Sequence, residues 1–173
     1  MKKNISILGS TGSIGLNTLK IIDKKKDFFK VNILAANKNY KLICNQIYKY
    51  KPNIFFINDH KIFCKVEKKF RNNKIKIFPN FNVSPKSIKK SDITVAAIPG
   101  IAGLFPTITL VTRSKKILIA NKESVICGWN LIKKNANKYK TKIVPIDSEH
   151  FSISKLLENK KIANIKKIYL TAS

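Results

Sequence analysis

The sequence predicts an α/β chain built on a doubly wound, mostly parallel sheet, and three observations carry that prediction. Short β-branched runs alternate with amphipathic stretches of helical length. Several strand candidates are almost continuously apolar, such as Ile93-Thr94-Val95-Ala96-Ala97-Ile98, which suits strands covered by helices on both faces. A glycine-rich turn stands directly between the first strand candidate and the first helix candidate.

Taken in order, Ile5–Leu8 reads as a strand, Ile14–Asp23 as a helix and Val31–Ala36 as a strand. Lys41–Tyr50 then reads as a helix, with Ile43, Ile47 and Tyr50 at helical spacing. Ile54–Ile57 is a strand candidate, Lys61–Phe70 a helix, and Lys76–Phe78 and Ile93–Ile98 two further strands. Leu104–Ser114 and Ser124–Tyr139 are helix candidates on either side of a strand at Ile117–Ala120. Strands are expected at Lys142–Ile146 and Ile165–Leu170. No internal repeat or low-complexity linker interrupts the series.

The 173 residues are 44% hydrophobic and 25% charged, enough to bury a core and inconsistent with disorder. Six Gly, six Pro and three Cys exclude collagen-like, linker-like and disulfide-scaffold chains. No apolar run approaches the roughly 20 residues needed to span a bilayer, and the short apolar start is no signal peptide. The expectation is a soluble, cytoplasmic protein. Cys44, Cys64 and Cys127 show no C-x-x-C spacing, so a zinc knuckle or redox pair is unsupported, and His60 and His150 are too far apart for a helical metal pair.

The net charge is +26 and the pI about 10.1, the usual footprint of a nucleic-acid binder. Yet only Arg71 and Arg113 are arginine, so 33 of the 35 basic residues are lysine. Arginine is the residue that grips phosphate bidentately and reads guanine. The lysines are scattered over expected helix ends and loops, and Ile and Asn, which share A/T-rich codons with Lys, are abundant too. Compositional drift explains the excess, so no specific nucleic acid is expected as a partner. The surface still attracts anions.

After the first strand comes Gly9-Ser10-Thr11-Gly12-Ser13-Ile14-Gly15. Strand, glycine turn and helix at the start of an α/β chain form a phosphate cradle, with the amides of Thr11 to Ile14 facing the phosphates at the positive end of the helix. The pattern is G-x-x-G-x-x-G, and no Gly-Lys-Ser/Thr follows, so it is not a Walker loop. Its position makes a Rossmann-type dinucleotide site the leading reading. An NAD binder places a carboxylate at the end of the second strand. Here that strand ends Ala35-Ala36-Asn37-Lys38-Asn39, with no carboxylate and one cation, which favours the 2′-phosphate of NADPH. Lys38 is also one lysine among 33, and that objection stands at this level.

Lys142–Ile146 leads into Asp147-Ser148-Glu149-His150. Residues i and i+2 of extended backbone project to one side, so both carboxylates reach one hard divalent cation. Two carboxylates do not complete a site. The competing reading, an Asp147 N-cap with Glu149 in the first helical turn, is locally as good. Ala120-Asn121-Lys122-Glu123-Ser124 is a third cluster at a strand end: Lys122 suits a phosphate or carbonyl and Asn121 a nicotinamide or ribose, whereas a plain helix start explains the same residues. Pro99 to Thr107 read as a lip beside the cofactor.

In that order and spacing, the glycine loop, Ala120–Ser124 and Pro145–His150 together closely resemble the 1-deoxy-D-xylulose 5-phosphate reductoisomerase family. The closing Leu170-Thr171-Ala172-Ser173 resembles that family's strand leading into a Ser-Gly-Gly turn. The resemblance implies a metal-dependent rearrangement of a phosphorylated sugar to 2-C-methyl-D-erythritol 4-phosphate for isoprenoid precursors. NADPH is the reductant and Mg²⁺, Mn²⁺ or Co²⁺ the metal. It implies cofactor contacts by Thr11, Gly12, Ser13, Ile14, Asn37, Lys38, Asn39, Asn121 and Glu123. Lys122, Ser148 and Glu149 become the catalytic and substrate-binding residues, Ser173 holds the substrate phosphate, and Asp147 and Glu149 become metal ligands. The full-length form is expected to be a homodimer.

Family members run to about 400 residues, a two- to three-domain size. The chain is therefore expected to be an N-terminal fragment. An NADPH-binding domain would cover residues 1–146, and residues 147–173 would begin an α+β catalytic domain. A third metal carboxylate, a lid and a helical domain are expected beyond Ser173. Such a fragment would bind NADPH weakly without turnover. The alternatives are another NADPH-dependent aldehyde or semialdehyde reductase, in which Asp147 only caps a helix, and a basic nucleic-acid-binding module.

Overall fold

The computed structural model describes residues 1–84, 87–160 and 165–169. Seven strands form one sheet: β1 (Lys3–Leu8), β2 (Phe29–Ala36), β3 (Ile54–Ile57), β4 (Lys76–Phe78), β5 (Ser91–Ala96), β6 (Ser114–Ile119) and β7 (Lys142–Pro145). Their order is β4-β3-β2-β1-β5-β6-β7, and every neighbouring pair is parallel. The helices are α1 (Ser13–Lys24), α2 (Tyr40–Tyr50), α3 (His60–Phe70), α4 (Leu104–Val111), α5 (Lys122–Tyr139) and α6 (Ser148–Leu156). A 3₁₀ turn over Ile101–Gly103 precedes α4.

Parallel neighbours need crossovers, and helices supply them. From β1 the chain steps outward through α1, α2 and α3 to β4 at one edge. It then returns to β5 on the opposite side of β1 and continues to β7 at the other edge. The direction of winding therefore reverses between β1 and β5, which opens a crevice at their carboxyl ends.

The two faces of the sheet carry separate cores. Ile5, Ile7, Val31, Leu34, Phe55 and Ile57 meet Leu19 and Ile22 of α1, Ile43 and Ile47 of α2, and Val66 and Phe70 of α3. Leu8, Ile33, Ala35, Phe56, Ile117 and Ile119 face the other way, onto Leu110 and Val111 of α4 and Ile132 and Ala136 of α5. Burial on both sides explains why these strands are almost continuously apolar. Each such Ile, Leu or Phe contributes about 1.5–3 kcal/mol by leaving water.

Val31 and Leu34 share a face although they are three apart, because the β1–β2 register shifts by one residue between Ile5 and Ser6. The extra residue is Asn32, which is buried. Its side chain donates to Ser91 Oγ (2.9 Å) and to the Lys89 carbonyl (3.1 Å), and accepts from Asn53 Nδ2 (2.8 Å). Ser91 and Ser6 share a further bond of 2.6 Å. The polar cost of the bulge is thus met by hydrogen bonds across three strands.

Some boundaries differ from the sequence expectations. Ala97 and Ile98, expected to end the fifth strand, lie beyond β5 and form the rim of the crevice. The helix expected to reach Ser114 ends at Val111; Ser114 instead opens β6, where its hydroxyl bonds Thr94 Oγ1 and donates to the Leu110 carbonyl, both at 2.6 Å. Residues 165–169, expected as a strand, are not one. Lys166 to Tyr169 are exposed, and a β-branched run without a neighbouring ladder has no reason to stay extended. Leu170 lies outside the described residues.

Candidate functional site

The crevice is built on the turn from β1 into α1. Gly9 has φ +85°, and a Cβ there would press on the Ala97 carbonyl oxygen at 2.5 Å. Glycine is therefore required both for the left-handed turn and for the approach of β5. A Cβ on Gly15 would collide with the Gly9 carbonyl and with the Ser10 backbone (2.7 Å to Cα), so glycine here lets α1 rest on its own loop. Gly12 is the N-cap of α1 and provides no side-chain cap, which leaves the first-turn amides directed at the opening.

Two adjoining cavities fill the crevice, of about 570 and 610 Å³, and both are walled by Gly12, Ala97, Ile98 and Pro99. The first runs from Gly9 and Thr11 toward the end of β2 at Asn37 and reaches Phe81. Phe81 is stacked on Phe56 at 4.0 Å between ring centroids. The second joins Ser13 and Ile14 to Lys122 and Glu123 at the start of α5 and to Asp147, Ser148 and Glu149 after β7. The glycine loop thus meets, in one opening at the carboxyl edge of the sheet, two motifs more than a hundred residues further along the chain.

The structure also shows which of these side chains already have partners. Asn121 is buried and accepts from the Ser124 amide (2.9 Å) as N-cap of α5, while its Nδ2 donates to the carbonyls of Gly100 (2.9 Å) and Ile98. It therefore ties α5 to the rim. Asn39 caps α2 by accepting from the Leu42 amide at 3.1 Å. Asn37 and Lys38 are exposed at the end of β2, and Lys38 does not line either cavity. Lys122 and Glu123 are exposed on the cavity wall. Ser173 lies outside the described residues.

Asp147 caps α6: its Oδ1 accepts from the His150 amide (3.0 Å) and pairs with His150 Nδ1 (2.6 Å). Burial works most strongly against its charge. The His150 amide and ring outweigh that effect together, so the carboxyl titrates below the ordinary aspartate range. Oδ2 is left for another partner. Glu149, two residues on, is exposed on the same cavity. The cap expected as the competing reading is therefore real, and it leaves the second oxygen of the same carboxylate free for ligation. Among the described residues no group of three or more His, Cys, Asp or Glu side chains gathers around one point. The extended backbone expected across Asp147 to Glu149 is not found, because Ser148 and Glu149 open α6; the two carboxylates meet only as neighbours on one cavity wall. They form a hard, oxygen-only and incomplete donor set, which fits a Mg²⁺- or Mn²⁺-type ion whose other ligands come from substrate and water.

Residues that the sequence reading passed over support the loop from behind. Ser10 Oγ donates to Gln46 Oε1 at 2.7 Å, and Gln46 Nε2 donates back to the Ser10 carbonyl at 2.9 Å, both buried. Gln46 stands on the same helical face as Ile43, Ile47 and Tyr50. A polar side chain on a core-facing stripe was the signal available.

The family model described as 1-deoxy-D-xylulose 5-phosphate reductoisomerase matches residues 5–128. The chain belongs to the 1-deoxy-D-xylulose 5-phosphate reductoisomerase family. The reductoisomerase of Pelagibacter ubique is 48% identical over 174 residues, which take in 99% of this chain and 45% of that protein. The reductoisomerase of Clostridium acetobutylicum is 39% identical over 99% of the chain and 46% of its own length. The chain thus spans less than half the length of these curated relatives. Among solved structures, the Zymomonas mobilis reductoisomerase in complex with NADPH superposes with a TM-score of 0.75 at 27% identity, covering 87% of this chain and 40% of that one. A DOX-P reductoisomerase in complex with NADPH, fosmidomycin and magnesium superposes at 0.76 and 30% identity, covering 86% and 37%. The WlbA dehydrogenase of Bordetella pertussis, at 11% identity and 0.52, shares the fold. Among the described residues no helix is long and apolar enough to cross a membrane.

Proposed function

We propose that this chain forms the NADPH-binding part, and the first metal ligands, of a reductoisomerase that converts 1-deoxy-D-xylulose 5-phosphate to 2-C-methyl-D-erythritol 4-phosphate. The observation that carries the reading is the shared crevice, in which Gly12, Ser13 and Ile14 line the same cavity as Lys122, Asp147, Ser148 and Glu149. Family membership supports it, and so do NADPH and magnesium in the complexes of structural neighbours. Residues 1–146 would act as the cofactor domain and residues 147–173 as the beginning of the catalytic domain.

NADPH bound here supplies the reducing equivalents for an aldehyde. The amides of Thr11 to Ile14 hold its pyrophosphate by hydrogen bonds and the α1 dipole. Lys38, Asn37 and Asn39 hold its 2′-phosphate, with Asn39 offering its amide NH₂ because its oxygen already caps α2. Asn121 and Glu123 border the reactive end, where Asn121 acts by holding the rim against α5.

A divalent ion at Asp147 Oδ2 and Glu149 supplies Lewis-acid stabilisation of negative charge on neighbouring substrate oxygens. Lys122 and the Ser148 hydroxyl orient the phosphorylated substrate beside those carboxylates, and Ser173 binds its phosphate. His150 keeps Asp147 ionised and oriented. Two full-length copies form the dimer in this reading, with a phosphorylated small molecule as partner and no specific nucleic acid.

The test is a titration of the chain with NADPH and NADH, beside Lys38→Glu. NADPH should bind more tightly than NADH, and Lys38→Glu should erase the difference. Equal affinities in the unsubstituted chain overturn the cofactor assignment. Titration with Mn²⁺ followed by electron paramagnetic resonance examines Asp147 and Glu149 separately.

A further inference from the structure

We propose that Gln46 is a positioning residue for cofactor binding, which sets the direction of the Thr11 amide through the Ser10 peptide. It rests on the proposal that Thr11 meets the NADPH phosphates.

Ser10 is held on three sides. Its amide donates to the Ala35 carbonyl at 2.8 Å, its hydroxyl donates to Gln46 Oε1 at 2.7 Å, and its carbonyl accepts from Gln46 Nε2 at 2.9 Å. Both residues are buried, Ser10 completely and Gln46 to 4% exposure. In a trans peptide the C=O and the following N–H point in opposite directions. A Ser10 carbonyl pulled toward α2 therefore turns the Thr11 N–H away from α2, and Thr11 lines the crevice. Rotation of this peptide turns on Ser10 ψ and Thr11 φ, and the Gln46 amide fixes it before any ligand arrives.

The pair also selects the amide group. Glutamine offers one donor and one acceptor at the separation that Ser10 presents. A carboxylate keeps the acceptor for the Ser10 hydroxyl and loses the donor, so its second oxygen faces the Ser10 carbonyl with no proton between them. Protonation restores a donor. Burial raises the pKa of such a carboxyl, which brings the change into an accessible range.

Four forms of the 173-residue chain provide the test: unsubstituted, Ser10→Ala, Gln46→Met and Gln46→Glu. NADPH dissociation constants and melting temperatures are measured from about pH 5.5 to 8, a span over which a raised carboxyl titrates. Each constant is divided by that of the unsubstituted chain at the same pH, which cancels titration of the cofactor's own phosphate. Gln46→Met should weaken NADPH by roughly tenfold or more, the scale of about 1.4 kcal/mol or above. Ser10→Ala, which keeps the carbonyl bond, should weaken it less. Gln46→Glu should bind poorly at the alkaline end and recover toward the reference as the pH falls.

A role confined to stability predicts a lower melting temperature for Gln46→Met with NADPH affinity unchanged, and that result overturns the proposal. So does a Gln46→Glu ratio that stays flat with pH. Should Gln46→Met not fold, the Ser10→Ala and Gln46→Glu comparisons decide alone. If the unsubstituted chain fails to bind NADPH while the Gln46 side-chain amide protons exchange slowly, the lock stands and the cofactor assignment falls. Fast exchange of those protons removes the lock itself.

Discussion

At the scale of single residues, several side chains in the crevice serve the fold and the ligand with different atoms. Asp147 uses Oδ1 to cap α6 and keeps Oδ2. Asn caps a helix about as well as Asp. Asp147→Asn should therefore melt within a few degrees of the parent while its Mn²⁺ affinity falls roughly tenfold or more, read by paramagnetic titration. Gly15 has the opposite character. The carbon added by Gly15→Ala meets the Gly9 carbonyl and the Ser10 backbone, so the loop must move. A loss of about 1–3 kcal/mol by urea denaturation is expected, the usual cost of overpacking. The identities of the glycine loop, the Asn-Lys-Glu run and the Asp-Ser-Glu run were legible in the sequence because each sits at a strand end. The division of labour within Asp147, Asn39 and Asn121 was not, because a cap and a ligand draw on the same residue types.

Elements were legible where burial dictates composition. β3 (Ile54–Ile57) and β4 (Lys76–Phe78) fall where the apolar runs put them. Ends were less clear where a polar side chain decides the matter. Ser114 opens β6 with its hydroxyl bridging Thr94 Oγ1 across the sheet and the Leu110 carbonyl of α4. α6 follows the Asp147 cap although it buries no residue. α5 depends on its cap more heavily, since Asn121 also secures the rim. Asn121→Ala should cost about 1–3 kcal/mol by chemical denaturation, combining a lost cap with two half-buried carbonyls left without their donor.

β1 and β6 are joined at their starts through Asp92 of β5, which accepts from the Asn4 amide (2.8 Å) and pairs with Lys115 (2.7 Å). Lys115, and then the Asn4 amide, hold this carboxyl below the ordinary aspartate value of 3.8. A depressed folded pKa gives stability that is complete above the unfolded value and is lost as the pH falls through the folded one. Lys115 is largely exposed, so screening limits the effect to about 0.5–1 kcal/mol. The stability gap between the parent and Asp92→Asn should be visible at pH 7 and close below that aspartate value.

Across the whole molecule, charge and winding act separately. The charge of +26 is spread over the surface, whereas the crevice has its own directed amides and, among the described residues that line it, a single cation, Lys122. NADPH affinity should therefore fall moderately with added salt, as long-range attraction is screened within about 10 Å at 0.1 M. Binding to arbitrary polyanions should fall steeply and show no sequence preference. Filter binding at two ionic strengths distinguishes these behaviours.

Winding has a consequence in time. β1 pairs early with β2 but lacks its second neighbour until β5, which begins at Ser91, has been made. A nascent chain that has emerged only as far as β4 therefore offers β1 as a bare edge, a template for the wrong partner. Closure over so long a separation is slow. The same reversal that makes room for a ligand leaves the growing polypeptide exposed at its centre until the second half arrives.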